Sequence, residues 1–191
     1  MERKVKILAG VLVLGLIISL GFNVYYYLAM ADKQAMVNNM RGKIIVAWAR
    51  EMSTAAYYLK DVTTNIDMHG VLWIFRLTPD IYGVDWDLKL YWRMEMAAGD
   101  VPELLGSYAV GAPTTVQHIN PTAIKMFGNL TDKIWNVTHL ILKEDSELTQ
   151  KDGVDPIQLL QEKGIYDDII EGCIDITNYS RQIRDFSPKF Q

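Results

Sequence analysis

One cysteine, three histidines and six prolines in 191 residues leave little room for several kinds of chemistry. A lone thiol, Cys173, cannot close an internal disulfide, although an extracytoplasmic protein need not contain one. His69, His118 and His139 are far apart and none has a ligand partner three or four residues on. The H-E-x-x-H pattern is missing. A di-iron bundle would place glutamate three residues before a histidine, but position 136, three before His139, is Asn. There is no G-x-S-x-G elbow, no phosphate loop and no dinucleotide fingerprint. No cofactor is expected, and an enzyme is the less favoured class.

Charge is missing from one long stretch. Nothing ionisable except tyrosine occurs between Lys6 and Asp32, which leaves 25 uncharged residues, Ile7 to Ala31. As a helix this stretch covers about 37 Å, more than the roughly 30 Å of a bilayer's hydrocarbon core. No later run competes: Val71 to Phe75 ends at Arg76, and Leu88 to Met96 contains Lys89, Arg93 and Glu95. The economical reading is one membrane segment within residues 1–31, followed by a body of residues 32–191.

Two readings of that segment compete. Ala29-Met30-Ala31 fits the small-x-small pattern of a signal peptidase site, which would release a secreted binding protein. Against cleavage, a signal's apolar core is usually about 7–15 residues with the site close behind. Here the site follows bulky Tyr25, Tyr26 and Tyr27, which suit the membrane interface, where rings are buried and hydroxyls wet. An uncleaved anchor is favoured. Arg3, Lys4 and Lys6 flank one side; Lys33, Arg41, Lys43 and Arg50 lie on the other. Nearest the span Lys4 and Lys6 stand unopposed, whereas Asp32 offsets Lys33. This places the N-terminus in the cytoplasm and the body outside.

Residues 1–31 carry a charge of +2, so the other 160 residues carry −6 of the net −4. An acidic body argues against nucleic acid, which needs a basic face to displace counterions. The partners expected are the lipid bilayer and either another protein or a second copy of the chain. Three N-x-[ST] sequons, at Asn129, Asn136 and Asn178, make candidate glycosylation sites; composition alone gives about one.

The spacing of apolar residues predicts an all-α fold: the membrane helix continuing into an antiparallel bundle of about four main helices. From Val37 the stripe Met40, Ile44, Trp48, Met52, Ala55, Leu59, Val62 and Ile66 steps by three or four, so one helix is expected from about residue 5 to about 66. Residues 67–98 fit one kinked helix or two shorter ones around Thr78-Pro79-Asp80. Residues 99–120, with Pro102, Gly106, Gly111 and Pro113, predict a loop holding at most a turn near Glu103 to Tyr108. Asn120-Pro121 caps the next helix. Its apolar seam is Ala123, Phe127, Leu130, Ile134, Val137 and Ile141, and its wet seam is Lys125, Asn129, Asp132, Asn136, His139 and Lys143. Asp155-Pro156 opens a short helix ending near Gly164. The last helix buries Tyr166, Ile169, Cys173, Ile176, Ser180 and Ile183 and wets Asp168, Glu171, Asp175, Asn178 and Gln182.

Two side-chain groups are candidates for a site. Asp168, Glu171 and Asp175 share one helix face and make a weak metal candidate, more simply read as a solvated acidic row. Trp73, Phe75, Tyr82, Trp86, Tyr91 and Trp92 concentrate six of twenty aromatic residues in one window. Of these, Trp73, Tyr82, Trp86, Tyr91 and Trp92 are candidates for a ligand pocket or an interface, against the plainer reading as bundle core. The favoured function is a membrane-anchored interaction or assembly module. The alternative is a ligand-sensing module working through a partner, since the cytoplasmic tail ends at Lys6.

Overall fold

A computed structural model describes residues 2–60, 89–111, 119–150 and 153–189, with side chains from residue 10 onward apart from 11 and 109–111. The described residues are almost wholly helical. Helix α1 spans Glu2–Lys60, α2 Lys89–Gly111, α3 Pro121–Lys143, α4 Asp145–Gln150, α5 Pro156–Glu162 and α6 Tyr166–Arg184. The all-α class is as the sequence predicts.

Helices α3 and α6 form as their seams require. Ala123, Phe127, Leu130, Ile134, Val137 and Ile141 are all buried, and the six polar seam residues from Lys125 to Lys143 are all exposed. Asn120 caps α3, its Oδ1 accepting from the Thr122 amide at 2.9 Å with proline at the first helical position. Asp155 does the same for α5, accepting from the Ile157 amide at 2.9 Å. Gly164, at φ +70°, supplies the left-handed turn after α5. On α6, Ile169, Cys173, Ile176, Ser180 and Ile183 are buried, while Tyr166 is only half-buried.

Cross-helix contacts fix the directions. Asn129 meets Tyr179, Lys133 meets Asp175, and Val137 lies against Gly172, so α3 and α6 are antiparallel. Helix α1 is antiparallel to α3: Asn38 bonds the Gly153 carbonyl, Gly42 lies on Leu148, Arg50 pairs with Asp145, and Thr131 reaches the Ala56 carbonyl. Asp100 pairs with Arg181 and Glu103 with Arg184, which sets α2 parallel to α6. The last residues close the far end: the Asn120 amide donates to the Lys189 carbonyl, and Lys189 Nζ donates to Ser107 Oγ.

Three expectations change. The loop predicted from residue 99 is helical as far as Gly111, straight through Gly99 and Pro102. Pro102 has no amide to offer the Ala98 carbonyl. The helix persists because Leu90, Met94, Ala97, Val101, Leu104, Leu105 and Tyr108 form a fully buried stripe, and that burial outweighs the breakers. Helix α4 was not expected; Asp145 and Glu147 in its first turn suit the positive end of a helix, and Leu148 anchors it. Finally, Val37 and Met40 open the predicted α1 stripe but are exposed, because at this level the chain covers the other side of α1, where Asn38 meets Gly153 and Gly42 meets Leu148. The predicted helix 61–66, the segment 67–88 and the loop 112–118 lie outside the described residues.

Candidate functional site

Helix α1 is 59 residues long, and its two halves have opposite environments. By rise alone it measures about 88 Å. From Ile45 onward it is core: Ile45, Trp48, Ala49, Met52, Ala55, Ala56 and Leu59 are buried. The Trp48 Nε1–H donates to the Met94 carbonyl at 2.9 Å, tying α1 to α2. Below Asn38 none of the described side chains is buried. Leu16 is 71% exposed and Phe22 70%, and among the described residues none of the most apolar window of the helix is buried. At about 25 cal/mol per Å² of apolar surface, water is an unfavourable surrounding for this segment. It is the one helix among the described residues long and apolar enough to cross a membrane.

The dimensions fit such a crossing. Lys6 to Tyr26 is about 30 Å along the helix, the thickness of a hydrocarbon core. Tyr25, Tyr26 and Tyr27 are exposed on all sides of α1, which is what a belt at the lipid–water boundary requires. Asn38, where the bundle begins, is about 18 Å further on. It is 5% exposed, accepts from Gln34 Nε2 at 3.1 Å and donates to the Gly153 carbonyl at 3.4 Å. Gly42 follows at the closest approach in this region, where a Cβ would overlap the Leu148 carbonyl oxygen.

The other candidate residues are dispersed. Tyr91 is 3% exposed with its hydroxyl unpartnered, and burial pushes its ionisation up. Trp92 is 44% exposed, with the Arg93 guanidinium 4.4 Å from its ring centre. Neighbours in sequence, these two rings thus face core and solvent respectively. Trp73, Tyr82 and Trp86 lie outside the described residues. Asp168, Glu171 and Asp175 are exposed, and Asp175 is engaged by Lys133 Nζ at 2.9 Å. Among the described residues, no group of three or more His, Cys, Asp or Glu side chains is placed to hold a metal ion. Burial pushes the Cys173 thiol up to about 12, which makes it a poor nucleophile.

The sequon asparagines are all exposed; Asn129 donates to the Tyr179 hydroxyl at 3.1 Å. Their hydroxyl partners Thr131, Thr138 and Ser180 are all buried. A step of two residues turns a helix by about 200°, so a wet asparagine puts its sequon hydroxyl in the core. Any sugar transfer would therefore have to precede folding of α3 and α6. Asn136 also borders an open groove of about 550 Å³ whose lining includes Ser53, Trp135, Thr138 and His139.

Two features escape a reading of the sequence. Asp100 is 6% exposed; Arg181 Nε donates to one oxygen at 3.0 Å, and the other oxygen is buried without a partner. Its position in a stretch read as a loop hid it. Glu51 has a buried, unpartnered Oε2, and burial raises its pKa. It lies three residues after Trp48 and four before Ala55, so its place beside the core stripe was visible in the spacing. No protein-family model, curated protein or solved structure matches this chain.

Proposed function

We propose that this protein is a membrane-tethered interaction module. Residues 7–31 of α1 form an uncleaved anchor, the N-terminus lies in the cytoplasm, and the helical bundle stands outside as a docking or assembly unit. The observation that carries this reading is the division of α1 into an apolar half that none of the described residues covers and a half that forms the bundle's core. The tyrosine belt, the lysines before the span and the acidic body support the same arrangement. The apolar side chains Met36, Val37 and Met40 stay exposed beyond the belt, where water surrounds them, and they give the module a surface to offer a partner.

Orientation and association can be tested together. Intact cells are treated with a membrane-impermeant, amine-reactive crosslinker before lysis. Labelled lysines from the body, together with a discrete crosslinked complex, are the expected result. Labelling only after lysis would reverse the orientation. Full labelling with the protein always monomeric would remove the assembly role and leave the tether.

A further inference from the structure

Beyond α6 the chain is held by few contacts. The Phe186 amide donates to the Ile183 carbonyl at 3.1 Å, the last main-chain bond of the helix end. Ser187 and Pro188 are exposed, and Phe186 and Lys189 are half-buried. Phe186 packs against the edge of the core. The firmer ties come from Lys189. Its carbonyl accepts from the Asn120 amide at 3.0 Å, and its Nζ donates to Ser107 Oγ at 3.1 Å. The same ammonium lies 5.0 Å from the centre of the Tyr108 ring.

These ties join two helices that have little direct contact. Helices α2 and α3 each pack along α6, and their own backbones scarcely approach one another. Ser107 and Tyr108 belong to the end of α2, and Asn120 caps α3, so Lys189 bonds to both. Beneath it the Tyr108 ring is fully buried, set edge-on to Phe127 with centroids 5.1 Å apart. The Tyr108 hydroxyl donates to the Ile183 carbonyl at 3.1 Å. The ammonium is poorly served at this place. It carries more donors than one hydroxyl oxygen can take, and the nearby Asp185 carboxylate is engaged by Arg184 Nε at 3.2 Å. Burial accordingly lowers the Lys189 pKa. A hydrogen bond to a hydroxyl and a cation over a ring each add little once the water they displace is counted.

We infer that residues 187–189 form a releasable strap across the end of the bundle remote from Asn38. Closed, the strap joins the end of α2 to the start of α3 and covers one face of the Tyr108 ring. Released, it swings away beyond Phe186. The Asn120 amide, the Ser107 hydroxyl and that ring face then open to solvent together. The release is local: Asp100–Arg181 and Glu103–Arg184 still hold α2 to α6, and the buried stripe from Leu90 to Leu105 is untouched. None of these residues lies on α1, so the strap works alike whether or not α1 crosses a membrane.

The test is amide-resolved hydrogen exchange on the full chain in detergent micelles. The Asn120 amide reports the strap directly, because its acceptor is the Lys189 carbonyl. Ile134 and Ile176, fully buried within α3 and α6, report the core. Asn120 is expected to be at least about tenfold less protected than either, with a weaker dependence on added urea, since a local opening exposes little surface. Lys189→Met keeps most of the stem and removes the ammonium. It should speed exchange at Asn120 and Tyr108 about three- to tenfold and leave Ile134 and Ile176 unchanged. Asn120 protected as strongly as the core, with the core's urea dependence, would overturn the proposal, because the segment would then open only with the whole bundle. So would a Lys189→Met protein in which Asn120 exchange is unchanged, or in which Ile134 and Ile176 accelerate as much as Asn120.

Discussion

The two halves of α1 have much the same residue types on one face and opposite fates. Trp48 is fully buried, with its indole N–H bonded to the Met94 carbonyl. Tyr26, on the same stripe, is 67% exposed. Apolar periodicity identifies the face of a helix that wants cover; it does not say whether the cover comes from the same chain, from lipid or from another molecule. In the upper half α3 packs along the stripe and Trp48 ties it to α2. In the lower half the described part of the chain supplies no such cover.

The largest effect that would separate the halves is loss of a core ring against loss of a bare side chain. Trp48→Ala should destabilise the bundle by about 3–5 kcal/mol, whereas Leu16→Ala should leave it within about 0.5 kcal/mol. Thermal melts of the detergent-solubilised full chain check both. Similar losses from the two would mean that the lower half is also packed.

The boundary between the halves can be attacked at Gly42. A methyl there meets the Leu148 backbone rather than a yielding side chain. Gly42→Ala should cost about 1–3 kcal/mol and loosen α4 from α1, read as faster amide exchange across Asp145–Gln150.

The cover over the upper stripe depends on α2 being held in place. Arg181→Met strands the buried Asp100 carboxylate and should cost about 2 kcal/mol, a value reduced because Arg181 itself is 43% exposed. Adding Asp100→Asn should recover part of the loss. No recovery would mean that Arg181 acts through packing of its stem.

The smallest effect sharpens the picture beside the core. Burial raises the Glu51 pKa above 4.5 in the folded protein. The folded state then holds the proton more tightly than the unfolded chain, so stability falls as pH rises from about 4.5 through the folded pKa. Glu51→Gln should flatten that slope and stabilise the protein at neutral pH, measured by melts between about pH 4 and pH 8. An unchanged slope would show that Glu51 is solvated.

Helices α3 and α6 were legible, Tyr166 apart, because their polar and apolar seams are cleanly separated and Asn120-Pro121 marks the start of α3. Helix α2 was not, because Gly99 and Pro102 are local signals, whereas the Met94–Tyr108 stripe that overrides them gains its energy only from contact with the rest of the bundle. The exposure of Val37 and Met40 was illegible for the opposite reason: the spacing is sound, but the bundle's base at Asn38 is set by Gly153 and Leu148, more than a hundred residues away. Of the candidate site, the long apolar stretch of α1 was readable from composition alone. The pairing of Asp100 with Arg181 was not, since it depends on the direction of α2.

The most direct test of the tether is the intact mass of the native protein, taken separately from carbonate-washed membranes and from the soluble fraction. A full-length species in the membranes is the predicted result, with any added sugar mass placing the bundle outside. A soluble species beginning at Asp32 would contradict the account, because the bare half of α1 would then be a leader removed after Ala31.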